Sequence, residues 1–453
     1  MLMNRSLFFV MALLIFPSSI LAANHQTKGA SQILFQNVKI FDGKTDSLIT
    51  GKEVLVENNL LKAVGSGLAV AQDIQVIDGG GRTLMPGLMD AHVHLALVRR
   101  PGEIRNDYDW MYVGALAGVQ AKEMLLRGFT TVRDIGGPTV GLHRAIEEGQ
   151  IIGPRVFSSG PYITQTSGHG DFRNYNEPHP AISGEVSLME RQGWLIMADG
   201  PERVTMAVRE ALRYGAKQVK MMAGGGVSSP YDPLHTVQGG PAEFKAAVEA
   251  AEQWGTYVAV HAFTDLAVEQ AVEAGVKSIE HGPFLTENTM KLMAEKGVFL
   301  APTARIALTT PEAVGFDPKS STAVKLIQVN EGAKNQLKWA KQYNVKVVFS
   351  TDQFGFPENF PEQSNEFLTL AEHFSPVEVL RIATSNVADL LMLSGKLHPY
   401  QDGPLGVIKE GAYADLILVE GDPTKDATIL ADYENKIDLV MKDGKIYKNT
   451  LTQ

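Results

Sequence analysis

The 453-residue chain contains no cysteine. A disulfide framework and a lipid-modified cysteine are therefore excluded, and zinc ligands would have to be His, Asp, Glu or a modified Lys. Basic residues are also in the minority, because 41 Lys and Arg face 51 Asp and Glu for a formal net charge of -10. Such a chain lacks a basic surface to pair with phosphates, so we do not expect nucleic acid as a partner.

The sequence also has no apolar run of the roughly 20 residues that a membrane-spanning helix requires. The apolar run Leu7–Phe16 follows Arg5 and precedes the small residues of Ser18–Ala23. This order is typical of a secretory signal peptide. We predict that residues 1–23 are a signal peptide cleaved near Ala22 or Ala23. The mature protein would then be periplasmic or secreted and would not contact the membrane.

Nucleotide-binding fingerprints are missing as well. No Gly-x-Gly-x-x-Gly follows the first predicted strand of the central region, and Gly224–Gly226 is not followed by the Lys-Ser/Thr of a phosphate loop. These absences count against an open dinucleotide-binding sheet. We interpret the three glycines as leaving room for the backbone next to a functional site.

The central region alternates short apolar strands with amphipathic helical segments, which predicts an α/β fold with a parallel sheet. Predicted helices include Trp110–Leu126, Pro201–Tyr214, Pro241–Trp254 and Ala323–Gln342. Eight strands with helices between them favour a closed (β/α)8 TIM barrel. The predicted strands are Leu88–Leu95, Thr130–Ile135, Arg155–Ser159, Gln218–Met222, Tyr257–Ala262, Ser278–His281, Val298–Pro302 and Val345–Thr351.

Both ends of the chain have a different pattern, in which strand-like segments of alternating apolar and polar residues are separated by turns. Neither end alone would bury its apolar face, so we predict one small β-sandwich built from both. The predicted domains are residues 24–85 and 400–453 for the sandwich and 86–399 for a hydrolase barrel. Within the barrel, the long connection Pro161–Gly200 is expected to shape a substrate pocket.

The strongest chemical signal lies in Pro86–Leu95, a short apolar strand that carries His92 and His94. Residues i and i+2 of a strand point to the same face, so both imidazoles can hold one metal ion, with zinc as the first choice. A His-x-His pair alone is more often a surface feature or a satisfied core pair. Further possible ligands at other strand ends change that balance.

Four more ionisable residues stand at predicted strand ends, namely Lys220, His261, His281 and Asp352. Each has an ordinary structural alternative, such as a lysine that extends to solvent, a core histidine, a helix cap or a turn former. Active groups of a barrel gather at the carboxyl ends of its strands. Six metal-capable groups on five strands at the same end therefore indicate a metal site.

At this point the sequence resembles the amidohydrolase superfamily over nearly the whole mature chain. The similarity is greatest to the branch of imidazolonepropionase-like hydrolases, exported Xaa-Pro and Xaa-Arg dipeptidases and ochratoxin-degrading amidohydrolases. The motifs that carry it are Pro86–His94, Val219–Met221, Val260–Ala262, Ile279–Gly282, Ser350–Asp352 and the closing Ala414–Val419.

The resemblance implies two divalent metal ions, with zinc favoured and manganese and cobalt as alternatives. His92, His94 and Asp352 would hold the more buried ion, and His261 and His281 the more exposed one. Lys220 would be carbamylated and bridge both ions. A metal-bridging hydroxide would attack the amide, with Asp352 as the catalytic base and then acid.

Two loops resemble stretches that line the substrate site in the dipeptidase-like branch, Thr166–Asp171 and Ser228–Pro233. By this resemblance His169 would be catalytic by orienting or polarising the scissile carbonyl. Tyr231 would donate a hydrogen bond to that carbonyl or to a substrate carboxylate. Arg305, just past the seventh strand, would bind a carboxylate. The alternative is that all three are ordinary loop residues.

The predicted function is hydrolysis of small amides, either dipeptides such as Xaa-Pro or N-acyl amino acids including ochratoxin-like compounds. The first alternative is a cyclic amide hydrolase of the imidazolonepropionase type, which normally uses one metal without a bridging lysine. An alternative of another class is a non-catalytic barrel homologue. A homo-oligomer is expected from the resemblance.

Overall fold

The computed structural model describes residues 31–451 except residues 71, 230, 315, 353, 355 and 356. The predicted signal peptide and its cleavage site lie outside these residues. Within the described part of the chain, no helix is both long enough and apolar enough to cross a membrane.

A parallel barrel occupies the centre of the molecule, and all eight predicted strands are present in it with shifted ends. Backbone hydrogen bonds from Ala91 N to Phe349 O and from Asp352 N to His92 O, each 2.8 Å, join the first strand to the chain after the eighth. The barrel strands are Leu88–Val93, Phe129–Asp134, Arg155–Ser158, Val219–Met222, Val258–Thr264, Ser278–Phe284, Phe299–Ala301 and Lys346–Val347.

The connection Pro161–Gly200 contains more structure than the sequence predicted. Its strand Tyr162–Thr164 runs parallel to the fourth barrel strand, with Ile163 opposite Met221, so the third barrel strand continues beyond an interruption. Leu195–Met197 pairs with Tyr162–Thr164 in turn. The interruption coincides with Gly160, whose φ of 60° turns the backbone out of the extended conformation.

The helices follow local signals in most cases. Pro201–Tyr214 begins with proline at its first position and ends before Gly215, whose φ of 111° is left-handed.

The predicted helix Ala323–Gln342 is wrong as one element, because the chain forms two. The α-helices are Pro101–Asp107, Trp110–Leu126, Val140–Glu147, Pro180–Ser183, Leu188–Arg191, Pro201–Tyr214, Pro241–Glu252, Asp265–Ala274, Glu287–Lys296, Ala304–Ala307, Ser321–Ala333, Gln336–Gln342, Glu366–Ala371, Pro376–Ile382, Ser385–Leu391 and Tyr433–Lys436. The 3-10 helices are Glu312–Val314, Pro357–Asn365, Met392–Leu397 and Ala427–Ala431.

Residues near both ends of the described chain form two further sheets that share one apolar cluster. The first sheet has the spatial order Leu60–Gly65, Glu53–Glu57, Gln32–Gln36, Gln75–Asp78. The second sheet combines both ends of the chain, in the order Lys445–Asn449, Ile437–Lys442, Leu416–Val419, Thr83–Pro86, Lys39–Ile40.

Candidate metal centre

The carboxyl end of the barrel gathers the predicted ligands around Asp352. One oxygen of Asp352, Oδ1, lies 3.5 Å from His92 Nε2 and 3.4 Å from His94 Nε2. Ligand atoms of His92, His281 and Asp352 all lie within 4.8 Å of one another. The His261 ring is 4.6 Å from that of His281. These side chains converge on one space at the end of the barrel.

Lys220 completes the predicted set of six. Its side chain is buried in the fourth barrel strand, and its charge is close enough to lower the pKa of His92, His261 and His281. Burial lowers the pKa of Lys220 itself to about 8, against the opposing influence of Glu280 and Asp352. No hydrogen bond from the Lys220 ammonium to another described residue is present.

Glu280 sets the orientation of the His92 ring. His92 Nδ1 donates to Glu280 Oε2 at 2.8 Å, which leaves the Nε2 lone pair for a ligand. Glu280 accepts at its other oxygen from Arg133 Nη2 at 2.7 Å and from Ser278 Oγ at 2.6 Å. Glu280 and Arg133 are both fully buried, so this ion pair is shielded from solvent.

Backbone carbonyls orient two other imidazoles in the same way. His94 Nδ1 donates to Gly136 O at 3.1 Å, so its Nε2 carries the lone pair. His261 differs, because its Nε2 donates to Gly225 O at 3.1 Å and its Nδ1 is left as the ligand atom. Each ring therefore has one nitrogen committed to the protein and one available to a metal.

His281 is oriented by a threonine. The Thr303 hydroxyl donates its hydrogen to Pro302 O at 2.7 Å, so it accepts from His281 Nδ1 at 2.8 Å. His281, Thr303 and Asp352 all have a positive φ, of 72°, 48° and 52°. Non-glycine residues adopt this conformation at a cost, and such residues cluster where function fixes side-chain directions.

The protonation states suit metal binding. Burial lowers the pKa of His92 and His261 and brings that of His281 to about 4, so these imidazoles are neutral near pH 7. Burial would raise the pKa of Asp352, but its histidine neighbours, His92 first, lower it overall. At His94 burial would lower the pKa, but the nearby negative charge of Asp352 outweighs it and raises the pKa overall. A carboxylate amid imidazoles is a donor set that fits zinc and similar divalent cations.

A cavity of about 440 Å³ opens onto this cluster. His169, His261, His281, Asp352 and Arg305 are among the residues that line it. Much of the remaining lining is apolar, including Phe263, Pro283, Ile306, Leu326 and Val329. The cavity therefore combines a candidate metal centre with an apolar surface and a guanidinium.

Of the three predicted substrate residues, His169 and Arg305 line this cavity, but Tyr231 does not. The Tyr231 side chain is 46% exposed, and its backbone carbonyl accepts from Ser167 Oγ at 3.1 Å. The roles of all three residues stay predictions.

His169 is held against the cluster from two sides. Its ring stacks on that of His261 with centroids 4.0 Å apart, and its Nδ1 donates to the buried Asp232 at 2.7 Å. The interpretation of Gly224–Gly226 agrees with this packing, because a Cβ at Gly226 would lie 2.2 Å from the His169 ring. The Nε2 of His169 is the ring nitrogen left for a substrate.

Comparison with known proteins identifies this arrangement. The sequence model of the Amidohydrolase family matches residues 83–447. The chain belongs to the amidohydrolase family. The family's fold agrees with the barrel described above, and the prediction of a hydrolase that acts on amide bonds is confirmed.

This amidohydrolase is 31% identical over 385 residues to an ochratoxinase from Aspergillus niger, covering 81% of this chain and 75% of that protein. A crystal structure of a prolidase complexed with N-methylphosphonate-L-proline has a TM-score of 0.82 and 33% identity, covering 92% of this chain and 100% of the other. A Xaa-Pro dipeptidase structure with bound methionine in its active site has a TM-score of 0.81 and 30% identity, with the same coverage. The predicted branch is therefore confirmed.

Sequence reasoning missed the residues that orient the side chains of this site. Glu280 lies in the motif Ile279–Gly282 without a predicted role, and the sequence predicts no role for Thr303, Asp232 or Glu366. One signal was available, since Glu280 is a charged residue inside the apolar strand Ser278–Phe284 and directly precedes His281. Thr303 and Glu366 carry no comparable local signal.

Proposed function

We propose that this amidohydrolase is a binuclear metal-dependent hydrolase of small amides whose leaving amino acid carries a free carboxylate. Dipeptides of the Xaa-Pro type and N-acyl amino acids of the ochratoxin type are the substrate classes. The observation that carries the proposal is the convergence of four oriented imidazoles, Lys220 and Asp352 beside a cavity that also contains Arg305.

His92, His94 and Asp352 would hold one ion, and His261 and His281 the other, with carbamylated Lys220 between them. The lowered pKa of Lys220 supports this, because a neutral amine reacts with CO2 and an ammonium does not. Two zinc ions bound here would activate water at neutral pH and polarise the scissile carbonyl.

Asp352 and His169 are the proton-handling and carbonyl-binding residues. Asp352 is ionised near pH 7, so it can accept a proton from the attacking water and pass it to the leaving nitrogen. His169 has its Nδ1 fixed by Asp232 and would present Nε2 to the substrate carbonyl. Tyr231 is kept as a substrate residue that would reach the cavity only by a change in its loop.

Arg305 supports recognition of a carboxylate. Its Nε is buried and has no hydrogen-bond partner among the described residues. Its Nη1 lies 3.6 Å from the half-exposed Glu362, a weak ion pair that leaves donors of the planar guanidinium for a substrate carboxylate.

The alternative of a cyclic amide hydrolase with one metal explains Lys220 poorly, because a buried lysine among metal ligands then has no role. A non-catalytic barrel explains neither the oriented imidazoles nor the positive φ angles of His281 and Asp352. We therefore retain both readings only as outcomes of the experiment below.

The test combines metal analysis with a screen of Xaa-Pro, Xaa-Arg and N-acyl-Phe substrates. We expect about two zinc ions per chain and release of a free amino acid. Lys220→Ala should lose most metal and activity, with partial recovery on adding short carboxylic acids. Lys217→Ala, which changes a half-buried lysine just before the same strand, should retain both.

Asp352→Asn should fold normally and lose about 100- to 10,000-fold in turnover. One metal per chain and no hydrolysis of linear amides would favour the cyclic amide alternative. Absence of both metal and hydrolysis would favour the non-catalytic one. Two metals and a full rate in Lys220→Ala would refute the bridging role of the lysine.

Three further predictions complete the proposal. We infer that residues 1–23 direct export, that the two terminal sheets form the predicted β-sandwich with the bounds given above, and that the protein is a homo-oligomer. The apolar cluster shared by the two terminal sheets, which contains residues from both chain ends, supports the sandwich. Mass spectrometry of the mature protein and light scattering test the other two.

A further inference from the structure

The turn that carries Arg305 has a strained backbone. Thr303 has a φ of 48°, a conformation that a β-branched residue adopts only when its surroundings force it. Its N–H donates to Ser350 Oγ at 3.0 Å, and its hydroxyl accepts from His281. One short segment thus connects a candidate metal ligand to the guanidinium on the cavity wall.

Glu366 holds the next part of this turn. Its side chain is fully buried, and its two oxygens accept from the backbone N–H groups of Ala304 and Arg305, at 3.0 and 2.8 Å. Burial raises the pKa of Glu366 to about 8, even though these N–H groups and Arg305 act in the opposite direction. An apolar side chain would leave both N–H groups without an acceptor, so the carboxyl group of Glu366 is what holds this turn in place.

The geometry requires two acceptors on adjacent backbone amides. A carboxyl group provides two oxygens that can each accept, whereas glutamine offers one oxygen and an NH2 group that would face the second N–H donor. Glu362 also contacts Arg305, but it is half-exposed and lies 3.6 Å from the guanidinium. Glu366 is therefore the residue that fixes the backbone beneath Arg305.

We propose that Glu366 is a positioning residue for substrate recognition. It holds the Ala304–Arg305 backbone so that the Arg305 guanidinium faces the cavity and selects substrates with a carboxylate on the leaving amino acid. This inference rests on the proposed function, and it adds the residue that makes the carboxylate site rigid.

The test compares an acid with its amide. Gly-Pro or N-benzoyl-Phe, whichever the wild type cleaves faster, is assayed beside its C-terminal amide. In Glu366→Gln, kcat/KM for the acid should fall about tenfold, mainly through KM. The reason is that the charge-assisted contact between the Arg305 guanidinium and the substrate carboxylate is misplaced. The amide rate and the zinc content should not change, and a crystal structure should show a displaced Arg305 guanidinium.

Glu372→Gln, an exposed change just beyond the helix that begins with Glu366, is the control and should match the wild type. If Glu366→Gln fails to fold, Glu366→Asp keeps the carboxyl group with a shorter reach and should show a smaller loss of acid-over-amide preference. An unchanged preference, or Arg305 in its original place in the variant crystal, overturns the inference. A wild type that does not distinguish acid from amide overturns the carboxylate specificity of the proposed function instead.

Discussion

Two polar clusters lie at opposite ends of the barrel, and they are built differently. The first is the candidate metal centre. The second, which we call the clasp, consists of Arg155 with Asp415, Asp443, Tyr400 and Tyr413. Arg155 begins the third barrel strand, and the two aspartates flank strands of the second terminal sheet. The clasp therefore joins the barrel to that sheet, whereas the metal centre faces the cavity.

The charged groups of the clasp pair with one another. Arg155 donates to Asp415 at 2.7 and 3.2 Å and to Asp443 at 2.7 Å, and its guanidinium lies over the rings of Tyr400 and Tyr413. Burial alone would lower the pKa of Arg155, but Asp415 and Asp443 raise it overall. At the candidate metal centre, by contrast, each imidazole has one lone-pair nitrogen that accepts no hydrogen bond from the described part of the protein and points into shared space. A buried polar cluster whose lone-pair nitrogens converge without protein partners indicates a binding site, and one that pairs internally indicates a structural joint.

Breaking the clasp should have the largest effect on stability. Arg155→Met leaves two carboxylates near the joint without their cation, so the free energy of unfolding should fall by about 3–5 kcal/mol, measured by urea denaturation. The zinc content of the folded protein and kcat should stay the same. Arg144→Met, which removes an exposed ion pair with Glu148, should leave stability unchanged. Loss of zinc in Arg155→Met would show that the two clusters are coupled.

A change at Glu280, which orients a ligand of the candidate metal centre, should affect zinc affinity and not primarily stability. Glu280→Gln weakens the hydrogen bond that orients His92 and places an amide against Arg133, so zinc affinity should fall about 10- to 100-fold. Competition with a chelator measures this affinity. Glu273→Gln, which alters an exposed ion pair with Lys296, is the matched control. Equal zinc affinity in the two variants would mean that Glu280 acts only in the fold.

The fold was predictable where local patterns decide it. Trp110–Leu126 and Pro201–Tyr214 have the predicted bounds because a cap or a proline and glycine mark their ends. The break between Ala333 and Gln336 was not predicted, although Gly332 directly precedes it and Asn335 is the N-cap of the second helix. There the buried Gln336 donates to the backbone carbonyls of His281 and Gly282, a tertiary contact that local sequence does not encode.

The sequence predicted which candidate ligands gather at the end of the barrel, but not the residues that orient them. Strand-end histidines are visible because strand periodicity and barrel topology place them together. Their hydrogen-bond partners come from distant parts of the chain, since Glu280 lies 188 residues from His92 and Glu366 lies 61 residues from Arg305. A local pattern cannot connect residues at such separations.

The smallest expected effect concerns two buried lysines, one in each region. Burial lowers the pKa of both Lys220 and Lys442, but Lys442 donates to Gly153 O at 2.8 Å, whereas Lys220 faces the metal ligands. With a pKa of about 8, the neutral fraction of Lys220 rises with pH, from about one tenth at pH 7 to about nine tenths at pH 9. At a fixed concentration of dissolved CO2, zinc loading of the metal-free protein should therefore quicken by about tenfold over this range and then level off.

Carbon-13 NMR with labelled CO2 separates the two lysines. We expect one carbamate signal in the zinc-loaded protein, which is lost in Lys220→Ala and kept in Lys442→Met. The reason is that Lys220 would have the bound zinc beside it to stabilise the carbamate, while the Lys442 amine donates to a backbone carbonyl. A signal that instead follows Lys442 would place the modification beside the clasp, away from the candidate metal centre. A loading rate that still rises beyond pH 10 would show that burial does not lower the pKa of Lys220.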